Sequence, residues 1–169
     1  MTAARRQRKP WVHTVPLGLG TVLLLMAGPP FLRPAQASTT ERVVVDPHRG
    51  LALNGFDPVA YFSDGKAMMG RGEFEYRFAG AIWRFRNEGN RAAFMKDPEI
   101  YAPAFGGYDP VAVARGVAAA GHPQIWTIIG ERLYLFYSPD AREAFSASPE
   151  GMTAAAERKW PAVLRSLGP

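Results

Sequence analysis

The sequence predicts an α+β fold: two pseudo-repeated units, each a short helical turn, an antiparallel β-hairpin and a helix, packed as one domain. Three observations carry this expectation. The pattern Gly-aromatic-Asp-Pro-Val stands at residues 55–59 and again at 107–111. Phe74, Tyr76 and Phe78 alternate with Glu75 and Arg77, the period of a half-buried strand. Helix-start residues then occur at Asn87 and at Ser138-Pro139-Asp140. The two copies of the first pattern are 52 residues apart, and Gly80, Phe85, Phe94 and Pro98 recur as Gly130, Phe136, Phe145 and Pro149 at offsets of 50 or 51. The units span residues 55–104 and 107–150, within a domain over 55–169. Each is too small to bury a strong core alone, so they are expected to pack together through their apolar faces.

Residues 1–37 read as an export signal. Arg5, Arg6, Arg8 and Lys9 form a basic start, residues 11–32 an apolar run ending at Pro29 and Pro30 and beyond, and Ala35-Gln36-Ala37 a small-residue cleavage site before Ser38. Cleavage there leaves 132 residues without a stable membrane span, in the periplasm or secreted. The alternative is a chain anchored in the membrane by the uncleaved segment, although Gly18, Gly20 and the proline pair break the run. Residues 38–54 form a lead-in, with Val43, Val44 and Val45 as a short strand.

Asp57 and Asp109 each precede a proline. Each carboxylate is expected to cap a helical turn by accepting N–H groups from Val59 or Ala60 and from Val111 or Ala112, and Asn would keep most of that cap. The first hairpin turns at Ala79-Gly80. The second goes out over residues 125–129, turns at Gly130-Glu131 and returns over 133–137. Helices follow over residues 88–96 and from Ser138 to about Phe145. A C-terminal helix is expected from about Thr153 to Trp160, interrupted or kinked by Pro161.

The formal charge of +5 belongs entirely to the first 37 residues; the remainder holds fifteen basic and fifteen acidic side chains. No basic field is left to attract phosphates, which argues against nucleic-acid binding. The absence of cysteine excludes disulfides, thiolate metal sites and cysteine nucleophiles. No serine sits in a nucleophile elbow, no Gly-rich phosphate loop follows a strand, and no carboxylate pair is indicated, so the expectation is a non-catalytic protein.

Residues 55–62, Gly-Phe-Asp-Pro-Val-Ala-Tyr-Phe, resemble the opening of exported bacterial proteins of the YHS-domain family. The resemblance extends through Trp83-Arg84-Phe85, residues 90–94, Asp97-Pro98, Tyr101-Ala102-Pro103, Gly106-Gly107-Tyr108, Trp126-Thr127-Ile128, Leu133-Tyr134-Leu135 and Lys159-Trp160-Pro161. It covers nearly all of residues 53–164. It implies a small binding domain, related to short modules found beside metal-transport and oxygenase domains. The exported form usual in the family has cysteine after Gly-Gly-Tyr; here that position is Asp109, and the Tyr-His-Ser triplet is absent. Both departures weaken the carry-over of soft-metal binding.

The metal ligands that remain are His48 and His122, with Asp46, Asp57 or Asp109 able to complete a copper or zinc site if they converge. Met68, Met69, Met95 and Met152 are too sparse for a copper shuttle and read better as core filling. The functional expectation is an exported small binding module for a weakly held metal or a small ligand. The alternative is a structural or protein-interaction domain of the cell envelope, with an envelope protein as partner.

Overall fold

The computed structural model describes residues 43–167, and in these residues the fold is α+β. The expected leader over residues 1–37, and the first residues of the lead-in, lie outside the described residues. The first half opens with a 3-10 turn at Leu53–Gly55, followed by α1 (Ala60–Ser63), β1 (Arg71–Phe78), β2 (Ala81–Phe85), α2 (Glu88–Lys96) and α3 (Pro98–Tyr101). The second opens with a 3-10 turn at Ala104–Gly107, followed by α4 (Pro110–Ala114), β3 (His122–Ile129), β4 (Arg132–Phe136), α5 (Pro139–Ala147) and α6 (Pro149–Ser166).

The two sheets are separate antiparallel hairpins. Both pair in the same register with an irregularity at the same place: between Arg71 and Glu75 opposite Phe85 and Arg84, and between His122 and Trp126 opposite Phe136 and Leu135. Each outgoing strand, β1 and β3, is entered through a glycine pressed onto its partner. A Cβ on Gly70 would lie 2.5 Å from the Arg84 carbonyl carbon, and one on Gly121 would lie 2.5 Å from the Leu135 Cβ. Contacts this close leave no room for a side chain, which is the physical reason for glycine at both positions. The hairpins turn through Ala79-Gly80 and Gly130-Glu131, all four residues at positive φ, as a two-residue turn between twisted strands requires.

The helix starts follow their caps. The Asn87 side chain accepts from the Asn90 N–H at the start of α2, and the Ser138 hydroxyl accepts from the Ala141 N–H at the start of α5. Three expectations on element bounds are corrected. Val43 to Val45 form no strand; Val45 makes one isolated bridge to Ala52. The second outgoing strand begins at His122, three residues earlier than its apolar stretch suggests. Pro161 does not end the last helix, which runs unbroken from Pro149 to Ser166. An interior proline costs about 3 kcal/mol or more through the lost N–H and ring clash. Here Ala156 and Val163, one on either side of Pro161, are both buried, and α6 packs against α4. That packing holds the helix through the proline.

The described residues belong to one compact unit with two apolar clusters. The first joins Tyr61, Trp83, Phe85 and Phe94 to Leu133 and Leu135 of the second half, so it is a shared core. Tyr61 ties the halves further: its hydroxyl donates to the Pro123 carbonyl at 2.8 Å, and its ring meets Trp126 edge-on at 5.1 Å. Burial and the nearby Asp57 charge push the Tyr61 phenol above its ordinary range, because both disfavour the phenolate. The second cluster gathers Phe105, Val111, Val113, Tyr134, Phe136, Phe145, Ala156 and Val163 beneath α6.

Candidate functional site

Asp57 and Asp109 are buried, at 0% and 2% exposure. One oxygen of each makes the expected cap. Asp57 Oδ1 accepts from Val59 N at 2.8 Å and Ala60 N at 3.4 Å; Asp109 Oδ1 accepts from Val111 N at 2.7 Å and Ala112 N at 3.4 Å. The second oxygen does something the sequence does not announce. Asp57 Oδ2 accepts from Arg86 N at 2.8 Å and Asn90 Nδ2 at 2.7 Å, and Asp109 Oδ2 accepts from Tyr137 N at 2.9 Å. Arg86 and Tyr137 each follow the last residue of a returning strand. Each carboxylate is therefore a clip that joins the helical turn to the far end of its hairpin.

The histidines lie elsewhere. The His48 side chain is 90% exposed, beside Asp46. The His48 N–H at 2.7 Å and the Arg49 N–H at 3.2 Å bond Asp46 Oδ1 and hold that carboxyl below its ordinary range. His122 is exposed at the start of β3, and its Nδ1 accepts from the Gln124 N–H at 3.2 Å. Among the described residues no three His, Asp or Glu side chains converge in a way that could hold a metal ion. His48, Asp57, Asp109 and His122 thus form no common ligand set: the two aspartates spend their oxygens on N–H donors, and the two histidines are exposed, His48 in a turn and His122 at the start of β3. Met69 and Met95 are exposed, while Met152 packs on the second apolar cluster.

A different set of residues does converge. A half-open cleft of about 350 Å³ lies where α6 crosses the second hairpin, lined by Phe105, Tyr134, Trp160, Arg132, Thr153, Glu157 and the small Ala104. Its walls are aromatic. Trp160 meets the Phe105 ring edge-on at 5.6 Å, and Phe105 lies 6.5 Å from Tyr134. Phe105 sits at φ 52°, but Leu53 of the first half shares that conformation at φ 53°, so it belongs to the fold rather than to the cleft. Arg132 Nη1 donates to the Glu99 carbonyl, 2.6 Å away, and Arg132 forms no ion pair among the described residues. Glu157 is also without an ionic partner among them.

Tyr134 is the most informative member. The residue is only 6% exposed, its side chain lines the cleft, and its hydroxyl, which has no hydrogen-bond partner among the described residues, reaches solvent. A solvent-facing phenol on a cleft wall can donate and accept hydrogen bonds to a ligand in place of water. The counterpart position in the first half, at an offset of 51, is Trp83, whose indole N–H is satisfied by the Phe78 carbonyl at 3.0 Å. Arg132 likewise stands where the first half has buried Ala81. The signal for the cleft was thus present in the sequence as a difference between the two halves: apolar Ala81 and Trp83 against Arg132 and Tyr134, and a four-residue α3 against an eighteen-residue α6.

Comparison of the chain with models of known protein families, with curated proteins and with solved structures gives no match. No helix among the described residues is long and apolar enough to cross a membrane.

Proposed function

We propose that this chain is an exported, non-catalytic binding module of the YHS-domain type that takes up a small organic ligand in the cleft between α6 and the second hairpin. Export rests on the basic start, apolar run and Ala-Gln-Ala site of residues 1–37, and the family on the Gly-Phe-Asp-Pro-Val-Ala-Tyr-Phe opening and the matches that follow it. The observation that carries ligand binding is the aromatic-walled cleft itself, lined by Tyr134 with a solvent-facing hydroxyl that has no partner among the described residues. Ligand sites share this make-up: mostly apolar walls with a few polar groups that fix orientation. The cleft volume is near the lower end of the usual range of about 300–1,000 Å³, so the ligand is small.

The test is two-dimensional NMR of the labelled chain against a library of small aromatic and polar compounds. Binders should shift the amides of Phe105, Tyr134, Thr153 and Trp160 together. Tyr134→Phe, which removes the free hydroxyl and keeps the ring, should weaken them without altering the fold. Shifts that map elsewhere, or a library without a single cleft binder, overturn the reading and favour a purely structural or protein-interaction domain.

A further inference from the structure

We infer that the ligand of this cleft is a zwitterion of amino-acid size with a planar or bulky apolar body, such as a free aromatic α-amino acid. The inference rests on the cleft being a binding site and adds the chemistry of its occupant.

The charges lining the cleft are of opposite sign and come from different elements. Arg132 belongs to β4 and Glu157 to α6. They do not pair with each other, nor with any other ionised side chain among the described residues. Solvated charges are ordinary on a surface, but here both line one small space with aromatic walls. A purely anionic ligand would be drawn to the guanidinium and repelled by the carboxylate, and a purely cationic one the reverse. A molecule carrying both charges gains from both.

The donors and acceptors match the two ends of such a molecule. Arg132 commits Nη1 to the Glu99 carbonyl, which fixes the guanidinium plane and leaves its other N–H groups for a carboxylate. Glu157 provides an anionic acceptor for an ammonium. On the same residue, the Glu157 carbonyl lacks its usual helical donor, because Pro161, four positions later, has no N–H. The Tyr134 and Thr153 hydroxyls can serve either end. In the same space, the aromatic side chains of Phe105, Tyr134 and Trp160 would receive the apolar body, and about 350 Å³ leaves room for one of phenylalanine or tryptophan size.

The experiment compares four probes on the chain by NMR shift mapping and calorimetry: L-phenylalanine, N-acetyl-L-phenylalanine, L-phenylalanine amide and glycine. L-phenylalanine should shift the cleft amides and bind at least about tenfold more tightly than either capped derivative, the loss expected when a charged hydrogen-bonding group loses its partner. Glycine, with both charges and no ring, should be weaker than L-phenylalanine. Arg132→Gln should abolish the preference over the amide, and Glu157→Gln the preference over the N-acetyl form. Both residues lie at the rim, so the circular dichroism spectrum should not change. If a capped derivative binds the cleft as tightly as the amino acid, the zwitterion inference falls while the cleft stands as a site. If none of the four shifts the cleft amides at millimolar concentration, the zwitterion inference also falls, and the compound library decides separately whether the cleft binds anything.

Discussion

Replacing Asp57 or Asp109 by Asn tests the two-sided clip against both a simple cap and a metal-ligand role. A carboxylate has two accepting oxygens, whereas an amide has one and presents two N–H donors in place of the other. At Asp57 the retained oxygen can keep the Val59 and Ala60 bonds, but the new amino group then faces the Arg86 N–H and the Asn90 side chain. Asn90 can turn its own amide to accept; Arg86 N is backbone and cannot. At Asp109 the stranded donor is the Tyr137 N–H. One buried donor left unsatisfied costs about 1–3 kcal/mol, so each Asn variant should lose about that much. Ala should lose more, because it forfeits the cap as well, itself worth about 0.5–2 kcal/mol. The assay is urea unfolding of the wild type and the four single variants, with and without chelator. An Asn variant within a few tenths of a kcal/mol of wild type would refute the clip, since the second oxygen would then be dispensable. A loss that appears only when metal is present would refute it in favour of a ligand role.

Three further outcomes are expected. The Tyr61 phenol is raised in the folded state, so its contribution is fully present below the unfolded value of about 10 and is lost as pH rises beyond it. Stability should therefore fall above about pH 10, and Tyr61→Phe should flatten that fall while costing about 0.5–1.5 kcal/mol at neutral pH through the lost bond to Pro123, as read by urea titrations across pH. Fragments 38–104 and 105–169 should each fail to fold, and the whole should unfold in one transition seen alike by fluorescence and circular dichroism, because Leu133 and Leu135 complete the core around Trp83 and Phe94; a stable half would contradict this. N-terminal sequencing of protein from the extracytoplasmic fraction should begin at or within a few residues of Ser38, and an intact Met1 chain held in the membrane would sink the cleavage expectation.

Much of the fold was legible because its punctuation is chemical and local. Asn87 and Ser138 announce helices by capping them within three residues, and Ala79-Gly80 and Gly130-Glu131 sit between alternating apolar runs. The Asp-Pro pairs were legible for the same reason, but only by half: the cap bonds reach two and three residues along the chain, whereas the second oxygen reaches 28 or more residues to a backbone N–H. Non-local hydrogen bonds to main chain leave no trace in residue type. Pro161 misled because propensity is a local term, and the packing of Ala156 and Val163 that outweighs it is tertiary. His48 and His122 drew attention as ligand-type residues, but chemistry of a side chain says nothing of whether others face it.

The difference between the halves locates the cleft better than any motif does. Where both halves keep a residue type, a local structural role explains it: Asp57 and Asp109 clip their hairpins, Gly70 and Gly121 let strands touch, and Phe94 and Phe145 are both fully buried. None of these needs a ligand. The first half, where Ala81 and Trp83 are fully buried and the indole N–H is bonded, shows that the architecture can be completed with apolar or satisfied groups. Arg132 and Tyr134 at the same positions are therefore not imposed by the fold. A solvent-facing phenol and a guanidinium without an ion-pair partner among the described residues, beside an aromatic cleft, give up the packing that the first half achieves. A binding role accounts for that departure, since the bonding capacity left open is what an occupant would fill.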